Sequence, residues 1–314
     1  MACRWGASAM LLAMMCASTL HAGSGSTFEF LRNDVGARAA ALAGSFVSIT
    51  NDPNALFYNP ASLSTLDAPR GSVGFFKHLL DINAGCASYG QSFEDLGYVG
   101  AGIIYMNYGS FDQRDEVGNQ LGTFNAGEFA LVLGYANVLE ENLTYGANLK
   151  FIYSSIASYS ASGIAGDFGV MYHDPESRFS LGASVRNFGT QISKYGSTKE
   201  DLPLDVVVGV SVVPKGLPLL LNVNFHKLNE STDTFGDRFR SFSVGGEFTL
   251  SRVLQARFGY DNEWRRELKI GTSAGLAGFS GGIGITVSDY KVDYAISSLG
   301  KIGSLHRISI GTSL

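Results

Sequence analysis

Residues 271–275, Gly-Thr-Ser-Ala-Gly, have the G-x-S-x-G spacing that presents a serine hydroxyl to a substrate carbonyl in hydrolases. Asp289 or Asp293, and then His306, follow Ser273 in the chain order of one hydrolase triad. The motif requires a helix after the serine, whereas the sequence continues Leu-Ala-Gly-Phe-Ser-Gly-Gly, whose glycines disfavour a helix. A lipase with serine and histidine on neighbouring strands of a barrel is therefore kept only as an alternative.

Two basic residues could bind the head group of an anionic amphiphile. Such a ligand needs an apolar slot for its tail and a cation or hydrogen-bond donors for its carboxylate. Lys150 and Arg186 occupy polar positions of strand-like segments and are the first candidates for this task. The alternative is that these bases neutralise carboxylates such as Asp167, Glu247 and Asp293, because charges in a narrow interior usually pair.

The sequence contains no recognisable metal or cofactor motif. It has no H-E-x-x-H, P-loop or C-x-x-C pattern, and its five histidines do not fall at ligand spacings. The charged stretch 112–116, Asp-Gln-Arg-Asp-Glu, lacks the alternating ligands of an EF-hand loop, and we expect it to be a solvated hairpin tip. We therefore expect no cofactor, no metal and no enzymatic step.

The composition favours a membrane β-barrel. Charged residues make up 16% of the chain, below the roughly 25% of soluble domains, while the chain has 39 glycines and 12% aromatic residues. Small residues pack well in a crowded barrel wall, and tyrosine and phenylalanine suit the two lipid interfaces. The net charge of −5 without a basic run excludes nucleic acid as a partner.

Residues 1–22 predict a signal peptide and thus export. Arg4 supplies the positive end, residues 7–20 supply the apolar core, and Ala22 is the small residue before the expected cleavage. Cleavage would remove two of the three cysteines and leave Cys86 alone, which excludes an internal disulfide. After residue 22 no run of about 20 apolar residues follows, so the sequence contains no spanning helix.

From Gly71 onward, hydrophobicity alternates with a period of two. In residues 143–151 the apolar side chains share one face, and the other face carries Thr144, Gly146, Asn148 and Lys150. By the same parity Arg186, Arg257, Asn222 and Asn224 belong to the polar face. Each such segment predicts a strand with one apolar and one polar side.

We predict about fourteen strands, an even number as in bacterial outer-membrane barrels. They lie near residues 71–78, 84–91, 97–107, 124–136, 143–154, 161–173, 177–187, 203–213, 218–228, 239–250, 253–261, 278–287, 290–298 and 304–314. The connections near 113, 195, 233 and 268 are expected to be long, and those near 94, 139, 175, 215, 251 and 289 short. Long loops at one end and tight turns at the other are typical of an outer-membrane barrel.

A secreted β-sandwich or jelly roll is the alternative, since its strands also alternate. Two features argue against it. The polar faces hold mainly Gly, Ser, Asn and Thr, where a face in water usually carries more Lys and Glu. A sandwich also gives no reason for sorting long and short loops.

Residues 23–70 do not alternate for long and predict a plug inside the barrel. The Ala-rich stretch 35–43 is expected to be helical, and 45–49 is expected to form one strand. Asp52-Pro53 and Asn59-Pro60 each combine a good N-cap with proline at the first helical position, which predicts two short helical pieces in tandem. The apolar residues directly before Asn59 need a dry environment, which a plug inside the barrel would provide.

Residues 36–63, "GARAAALAGSFVSITNDPNALFYNPASL", resemble the N-terminal hatch of FadL-type outer-membrane transporters and of the related PorV/PorQ-type barrels. A Gly-Ala-Arg segment there leads into a D-x-x-A-x-x-x-N-P-A run, which is formed here by Asp52, Ala55, Asn59, Pro60 and Ala61. The resemblance extends over nearly the whole mature chain, including residues 118–136, 145–155, 165–172 and 292–310.

The resemblance implies a fourteen-stranded barrel with a hatch in the bacterial outer membrane. Together with the signal peptide expected at 1–22, this divides the chain into a hatch at 23–70 and a barrel at 71–314. The resemblance also implies passive passage of hydrophobic small molecules, typically long-chain fatty acids, with hatch rearrangement. The expected partners are such a ligand, outer-membrane lipids and the barrel-assembly machinery. PorV/PorQ-type relatives are accessory barrels for protein secretion or surface attachment, so a secretion partner protein is the alternative.

Five residues of the hatch are candidates for gating or for the ligand tail. Phe57, Asn59 and Pro60 are the gating candidates, and Phe46, Leu56 and Phe57 are the candidates for lining the tail slot. For Asn59 a purely structural helix start is the alternative.

Overall fold

The computed structural model describes residues 26–77, 82–269 and 274–314. The predicted signal peptide, 1–22, lies outside these ranges. Fourteen antiparallel strands form a closed barrel in which each strand pairs with its neighbours in sequence and the first pairs with the last. The predicted all-β barrel and its strand number are confirmed.

The strands differ in length around the barrel. They are β1 (Arg70–Lys77), β2 (Asn83–Phe93), β3 (Gly97–Arg114), β4 (Gln120–Glu140), β5 (Leu143–Ile156), β6 (Tyr159–Asp174), β7 (Phe179–Ser193), β8 (Asp205–Val212), β9 (Leu219–Phe225), β10 (Phe242–Thr249), β11 (Leu254–Asp261), β12 (Phe279–Val287), β13 (Tyr290–Ser298) and β14 (Ser304–Ser313). Among the described residues, no helix has the length and apolar character needed to cross a bilayer.

The alternation in sequence becomes an alternation of exposure. In β5, Leu149 is 55% exposed, whereas Lys150 next to it is 3% exposed. Arg257, Asn222 and Asn224 are buried on their strands, as the parity predicts. Because the sheet is closed, the apolar side chains form the outer surface and the polar side chains face inward.

The connections are sorted by length, with one exception to the prediction. The long ones are 194–204, 226–241 and 262–278, all at the same end of the barrel. The expected long loop near 113 is wrong, because β3 and β4 continue to pair as far as Arg114 and Gln120. Phe111 stacks on Phe124 across this strand pair at 5.4 Å between ring centroids, which stabilises the pairing. The polar residues around them made this region look like a loop in the sequence.

Residues 26–69, the N-terminal segment, precede β1 and consist of short helical turns. They comprise α1 (Ala37–Ala41) and 3-10 turns at Glu29–Arg32, Pro53–Phe57 and Pro60–Thr65. The two predicted proline helix starts are confirmed, with Asp52 and Asn59 as N-caps whose side chains accept from Asn54 N and Ala61 N. Proline at the first position fits because its missing N–H has no helical partner there.

The strand expected at 45–49 is wrong. These residues form no ladder, and the side chains of Phe46, Val47, Ser48 and Ile49 are all buried. The alternation needed for a one-sided strand is therefore absent. The Val47 carbonyl instead accepts a hydrogen bond from the Asn59 side chain at 2.9 Å.

The contacts of the N-terminal segment run from one end of the barrel to the other. Near the long connections, Thr27 N donates to Asp201 O at 2.9 Å. At the opposite end, Thr144 Oγ1 at the start of β5 donates to Ala61 O at 3.3 Å. Phe46, Leu56 and Leu63 are fully buried and form one apolar cluster with inward-facing side chains of the strands.

Candidate functional site

Asn59 connects three parts of the chain through one buried side chain. Its Oδ1 accepts from Ala61 N at 3.1 Å, which caps the following 3-10 turn. Its Nδ2 donates to Val47 O at 2.9 Å and to Val170 O of β6 at 3.2 Å. The structural interpretation of Asn59 as a helix start therefore holds, and the same side chain also attaches the segment to the wall.

Pro60 lies directly against the wall, where glycines leave room for backbone contact. A Cβ added at Gly146 of β5 would come within 2.6 Å of the carbonyl carbon of Pro60. A Cβ at Gly169 of β6 would collide with Asn59 Oδ1. The Asn-Pro step is thus seated on two strands at positions that tolerate no side chain.

The three candidates for a tail slot belong to the packed apolar cluster of the segment. Phe46 and Leu56 are fully buried and Phe57 is nearly so. The Phe46 ring lies 5.0 Å from that of Tyr58, and the Arg38 guanidinium stacks 5.7 Å from the Phe46 centroid. These side chains stabilise the segment in the present conformation, and their contact with a ligand stays a prediction.

Lys150 is engaged by neighbouring side chains. Its Nζ lies 2.8 Å from Asp167 Oδ2 and donates to Asn187 Oδ1 at 2.8 Å. Asp167 also accepts from Asn148 Nδ2 at 2.8 Å. This is the neutralisation that the alternative interpretation predicted.

Arg186 is paired in the same manner. Its Nη2 lies 2.5 Å from Asp205 Oδ2, and its guanidinium lies 5.8 Å from the Tyr58 ring centroid. Both bases therefore have a carboxylate partner in this conformation. A head-group function for either of them stays a prediction.

A buried ion network that the sequence analysis missed joins α1 to three strands. Arg38 forms two hydrogen bonds with Glu247 of β10, at 2.8 and 2.9 Å, and one with Asp52 at 3.1 Å. Arg257 of β11 bridges Glu247 at 2.6 Å and Asp293 of β13 at 2.7 Å. The sequence did contain a signal for this network, namely the Gly-Ala-Arg sequence at the start of α1 and the inward-facing carboxylates on the strands.

The charge state of Arg38 is secured by this network. Burial lowers the pKa of the Arg38 guanidinium, but the carboxylates of Glu247 and Asp52 outweigh burial and raise it above the ordinary value. Arg38 therefore stays charged and acts as a fixed electrostatic link between segment and wall.

Among the described residues, Asp293 and His306 of the hydrolase alternative lie on opposite faces of the wall. Asp293 is buried on the inner face and paired with Arg257, whereas His306 is exposed on the outer face. The His306 ring bonds Tyr294 Oη at 2.6 Å and Ser304 Oγ at 3.0 Å. Ser273 lies outside the described residues. Within the described ranges, no group of three His, Cys, Asp or Glu side chains is placed to hold a metal ion.

Two cavities lie on either side of the N-terminal segment. One of about 330 Å³ opens near the long connections, and Gly44, Tyr58, Arg186 and Lys227 are among the residues that line it. The other, of about 250 Å³, lies near the short turns and is lined by residues that include Ser48. The stretch from Gly44 to Ser48 thus passes from one cavity to the other.

The structure shares its overall fold with solved transport proteins. The toluene transporter TbuX of Ralstonia pickettii aligns with a TM-score of 0.61 at 13% identity, over 89% of this chain and 98% of that one. The toluene transporter TodX of Pseudomonas putida aligns with a TM-score of 0.58 at 15% identity, over 89% and 98% of the two chains. A FadL homologue of Pseudomonas aeruginosa aligns with a TM-score of 0.56 at 11% identity over the same shares, 89% and 98%.

The chain has the FadL-type fold. The resemblance proposed from the hatch motif is thereby confirmed at the level of the fold. No protein-family model and no curated protein sequence matches the chain. The identities of 11–15% fall well below the level at which sequence alone carries function across, so the activity has to be argued from the FadL-type barrel itself.

Proposed function

We propose that this protein is an outer-membrane channel for the passive uptake of hydrophobic small molecules, with the N-terminal segment as its hatch. In this division residues 1–22 are the signal peptide, 23–70 the hatch and 71–314 the barrel wall. The solved relatives in fold are named as toluene transporters and a FadL homologue, which supports a hydrophobic ligand. The proposal involves no enzymatic step.

The outer surface supports a location in a bilayer. Large apolar side chains are exposed around the wall, among them Val73, Leu133 and Ile310. In water this surface would be a severe aggregation hazard, whereas in a bilayer it faces hydrocarbon. The buried ion pairs on the inner face are shielded from lipid by the wall.

The observation that supports the channel proposal is that two separate cavities lie on either side of the N-terminal segment. Cavities of about 330 and 250 Å³ lie on its two sides, and the stretch 44–48 separates them. Passage then requires this stretch to shift. Asn59 holds this stretch through its hydrogen bond to Val47 O, and Phe46 anchors it through its ring contact with Tyr58. Together with Leu56, Phe57 and Pro60 of the same segment, they are the residues whose loosening would open the route.

A reversible cross-link tests this gating. Ser48 of the segment and Ser211 of β8 have their Oγ atoms 2.6 Å apart, so Ser48→Cys with Ser211→Cys should form a disulfide. The matched control joins two wall strands through Ser162→Cys and Ser193→Cys, whose Oγ atoms are 2.8 Å apart. Both pairs are placed in a Cys86→Ser background, so that no other thiol of the mature chain interferes.

Uptake of labelled toluene and labelled oleate into proteoliposomes is the measurement. Oxidation should stop uptake by the variant with the segment-to-wall cysteine pair, and reduction should restore it. The variant with the wall-to-wall pair should take up the compounds in both redox states. Unchanged uptake through the oxidised segment lock would refute hatch gating. Absence of uptake by every version, including the reduced control, would refute the channel.

The accessory barrel of protein secretion stays the alternative. A tight protein partner in a pull-down from outer membranes, together with no uptake of either compound, would support it. The choice between aromatic hydrocarbons and long-chain fatty acids depends on whether the lumen offers a cation to a carboxylate.

A further inference from the structure

The cavity of about 330 Å³ near the long connections is lined by more carboxylates than bases. The carboxylates are those of Glu29, Asp34, Asp205, Asp261, Glu263 and Glu267, and the bases, besides His226, are Arg32, Arg186 and Lys227. In formal charges the lining therefore has an excess of three negative charges. Arg307 does not line the cavity, but its charge also acts on Asp34, and counting it still leaves an excess of two.

Each of the three cationic side chains on this cavity already has a carboxylate partner. Arg32 pairs with Glu29 at 3.2 Å, Arg186 with Asp205 at 2.5 Å and Lys227 with Glu263 at 2.6 Å. The cavity therefore offers an anionic ligand no cation that is not already neutralised.

The other three carboxylates are left over. Asp34, Asp261 and Glu267 form no ion pair with any residue of 26–77, 82–269 or 274–314. Asp34 and Asp261 are half-buried, and their carboxyl groups are close enough for the two charges to interact. Because carboxylates away from bulk water are costly without a counter-ion, the cavity favours a bound cation.

His226 adds an unused hydrogen-bond acceptor to the same cavity. It directly follows β9, and its buried Nε2 has no hydrogen-bond partner among the described residues. Burial lowers the pKa of the His226 imidazole, which keeps the ring neutral at pH 7. A neutral ring protonated on Nδ1 offers the lone pair of Nε2 to a donor. A primary ammonium group carries three N–H donors and fits this acceptor together with the leftover carboxylates.

The rest of the lining restricts the kind of cation. Within the described ranges no group of three His, Cys, Asp or Glu side chains is placed to hold a metal ion, so an organic cation fits the cavity better. Trp264 of the short helix α2 (Asn262–Glu267) also lines the cavity, and an indole stacks on aromatic rings and attracts cations. A volume of about 330 Å³ is near the lower end for small-ligand pockets, which suits one ring or a short chain.

We infer that this cavity binds a primary ammonium ion with a small hydrophobic body, such as a single-ring aromatic amine. The ammonium group donates to His226 Nε2 and pairs with Asp34 and Asp261, while the body packs against Trp264. The inference rests on the proposed uptake of hydrophobic compounds and specifies their charge. That charge is opposite to the one of a fatty-acid head group.

Two probes with the same carbon skeleton test the inference. 2-Phenylethylamine, which is cationic at pH 7, and 2-phenylethanol differ only in the head group. Equilibrium dialysis with labelled compound measures their affinities for the detergent-purified mature protein. The wild-type protein should bind the amine about 10- to 100-fold more tightly, the range for a hydrogen bond to a charged group. Equal affinities, or tighter binding of the alcohol, would overturn the inference.

Asp34→Asn and Asp261→Asn each remove one negative charge with little change of shape. Asp261 Oδ1 caps α2 by accepting from Trp264 N at 2.9 Å, and asparagine caps a helix as well as aspartate does. Each substitution should reduce the preference for the amine over the alcohol about 3- to 10-fold. An undiminished preference in both variants would contradict the inference.

His226→Phe keeps a ring of similar size and removes the acceptor. It should weaken binding of 2-phenylethylamine about 3- to 10-fold. The trimethylated form of this amine has the charge but no N–H, so its weaker binding should not change in His226→Phe. An equal loss for the two cations would show that His226 does not accept the ammonium hydrogen bond.

Asp233→Asn is the matched control for the two aspartate variants. Asp233 lies exposed in the same connection as His226 and does not line the cavity. Its substitution should leave the preference for the amine unchanged. An equal loss in Asp233→Asn and Asp261→Asn would show that only the overall charge attracts the amine and would refute a specific site.

The wild-type protein separates failure of this inference from failure of the proposed function. Equal affinities for the amine and the alcohol would overturn the ammonium site and leave uptake of hydrophobic compounds intact. Binding of neither probe, combined with no toluene entry into proteoliposomes, would overturn both.

Discussion

Arg38 and Glu247 form a two-bond ion pair, with Nε to Oε2 at 2.8 Å and Nη2 to Oε1 at 2.9 Å. The pair joins α1 of the N-terminal segment to β10 of the wall. Both side chains are buried, and Arg257 contacts Glu247 from the opposite side at 2.6 Å. The segment is therefore held by directional charge contacts in addition to its apolar packing.

Arg38→Met should destabilise the attachment of the segment by about 3–5 kcal/mol. The substitution removes the ion-pair partner of Asp52 and one of the two ion-pair partners of Glu247. The measurement is hydrogen exchange of the segment amides, which should accelerate while exchange in the wall strands stays slow. Arg114→Met is the control, since its ion pair with Asp112 at 2.9 Å lies exposed on a hairpin. It should change stability by less than about 1 kcal/mol. Equal effects of the two variants would show that the buried network does not hold the segment.

Gly169→Ala should displace the Asn-Pro step from the wall. The new methyl group would collide with Asn59 Oδ1, and overpacking of this kind typically costs about 1–3 kcal/mol. The thermal unfolding temperature should fall, and the rate of sugar entry into proteoliposomes should rise in an osmotic swelling assay. Gly196→Ala is the control, because a Cβ there has no atom within 4 Å. A variant at Gly169 that behaves like the one at Gly196 would contradict this seating.

Asn59→Ala should cost more than Pro60→Ala. The first removes an N-cap, worth about 0.5–2 kcal/mol, and also removes the side-chain donor to the carbonyls of Val47 and Val170. The second loses only the preset backbone angle of proline, worth about 0.4–1 kcal/mol. Chemical unfolding of the two variants in the same detergent measures the difference. A larger loss for Pro60→Ala would mean that the turn, and not the Asn59 hydrogen bonds, determines the seating.

Asp34 should make stability depend on pH in a definite direction. Burial raises the pKa of its carboxyl, so the folded protein binds this proton more tightly than the unfolded chain does. Its contribution to stability is therefore greatest below the ordinary pKa of an aspartate and is lost as the pH rises through the elevated value. Asp34→Asn should accordingly be more stable than wild type at pH 7 and equal to it near pH 3, measured by thermal melting. A stability difference that is the same at both pH values would contradict this assignment.

The barrel was predictable because its governing pattern is local. A period of two puts Leu149 outside and Lys150 inside wherever the strand lies, and the proline starts at Asp52 and Asn59 depend only on neighbouring residues. The ends of β3 and β4 were not predictable from polarity, because their pairing beyond the apolar region depends on cross-strand contacts such as Phe111–Phe124.

The inward-facing basic side chains were predictable in their orientation and not in their partners. Parity places Lys150 and Arg307 on the inner face alike, but only the three-dimensional arrangement brings Asp167 to Lys150 and leaves Arg307 without a carboxylate in the described ranges. The strand predicted at 45–49 was wrong for the same reason, because the side chains of these residues are all buried by surrounding parts of the fold.

The unequal heights of the strands make the rim of this barrel oblique. β4 has 21 residues and β9 has 7, while a tilted strand needs about 9–11 residues to cross a bilayer. β3 and β4 exceed this length by roughly 8–11 residues, which at about 3.4 Å per residue adds some 30 Å along the strand direction. The β3–β4 side of the rim is therefore much higher than the β9 side. In the channel proposed above, a hydrophobic solute has the shorter way to the lumen over the low side of the rim, near the connection 226–241.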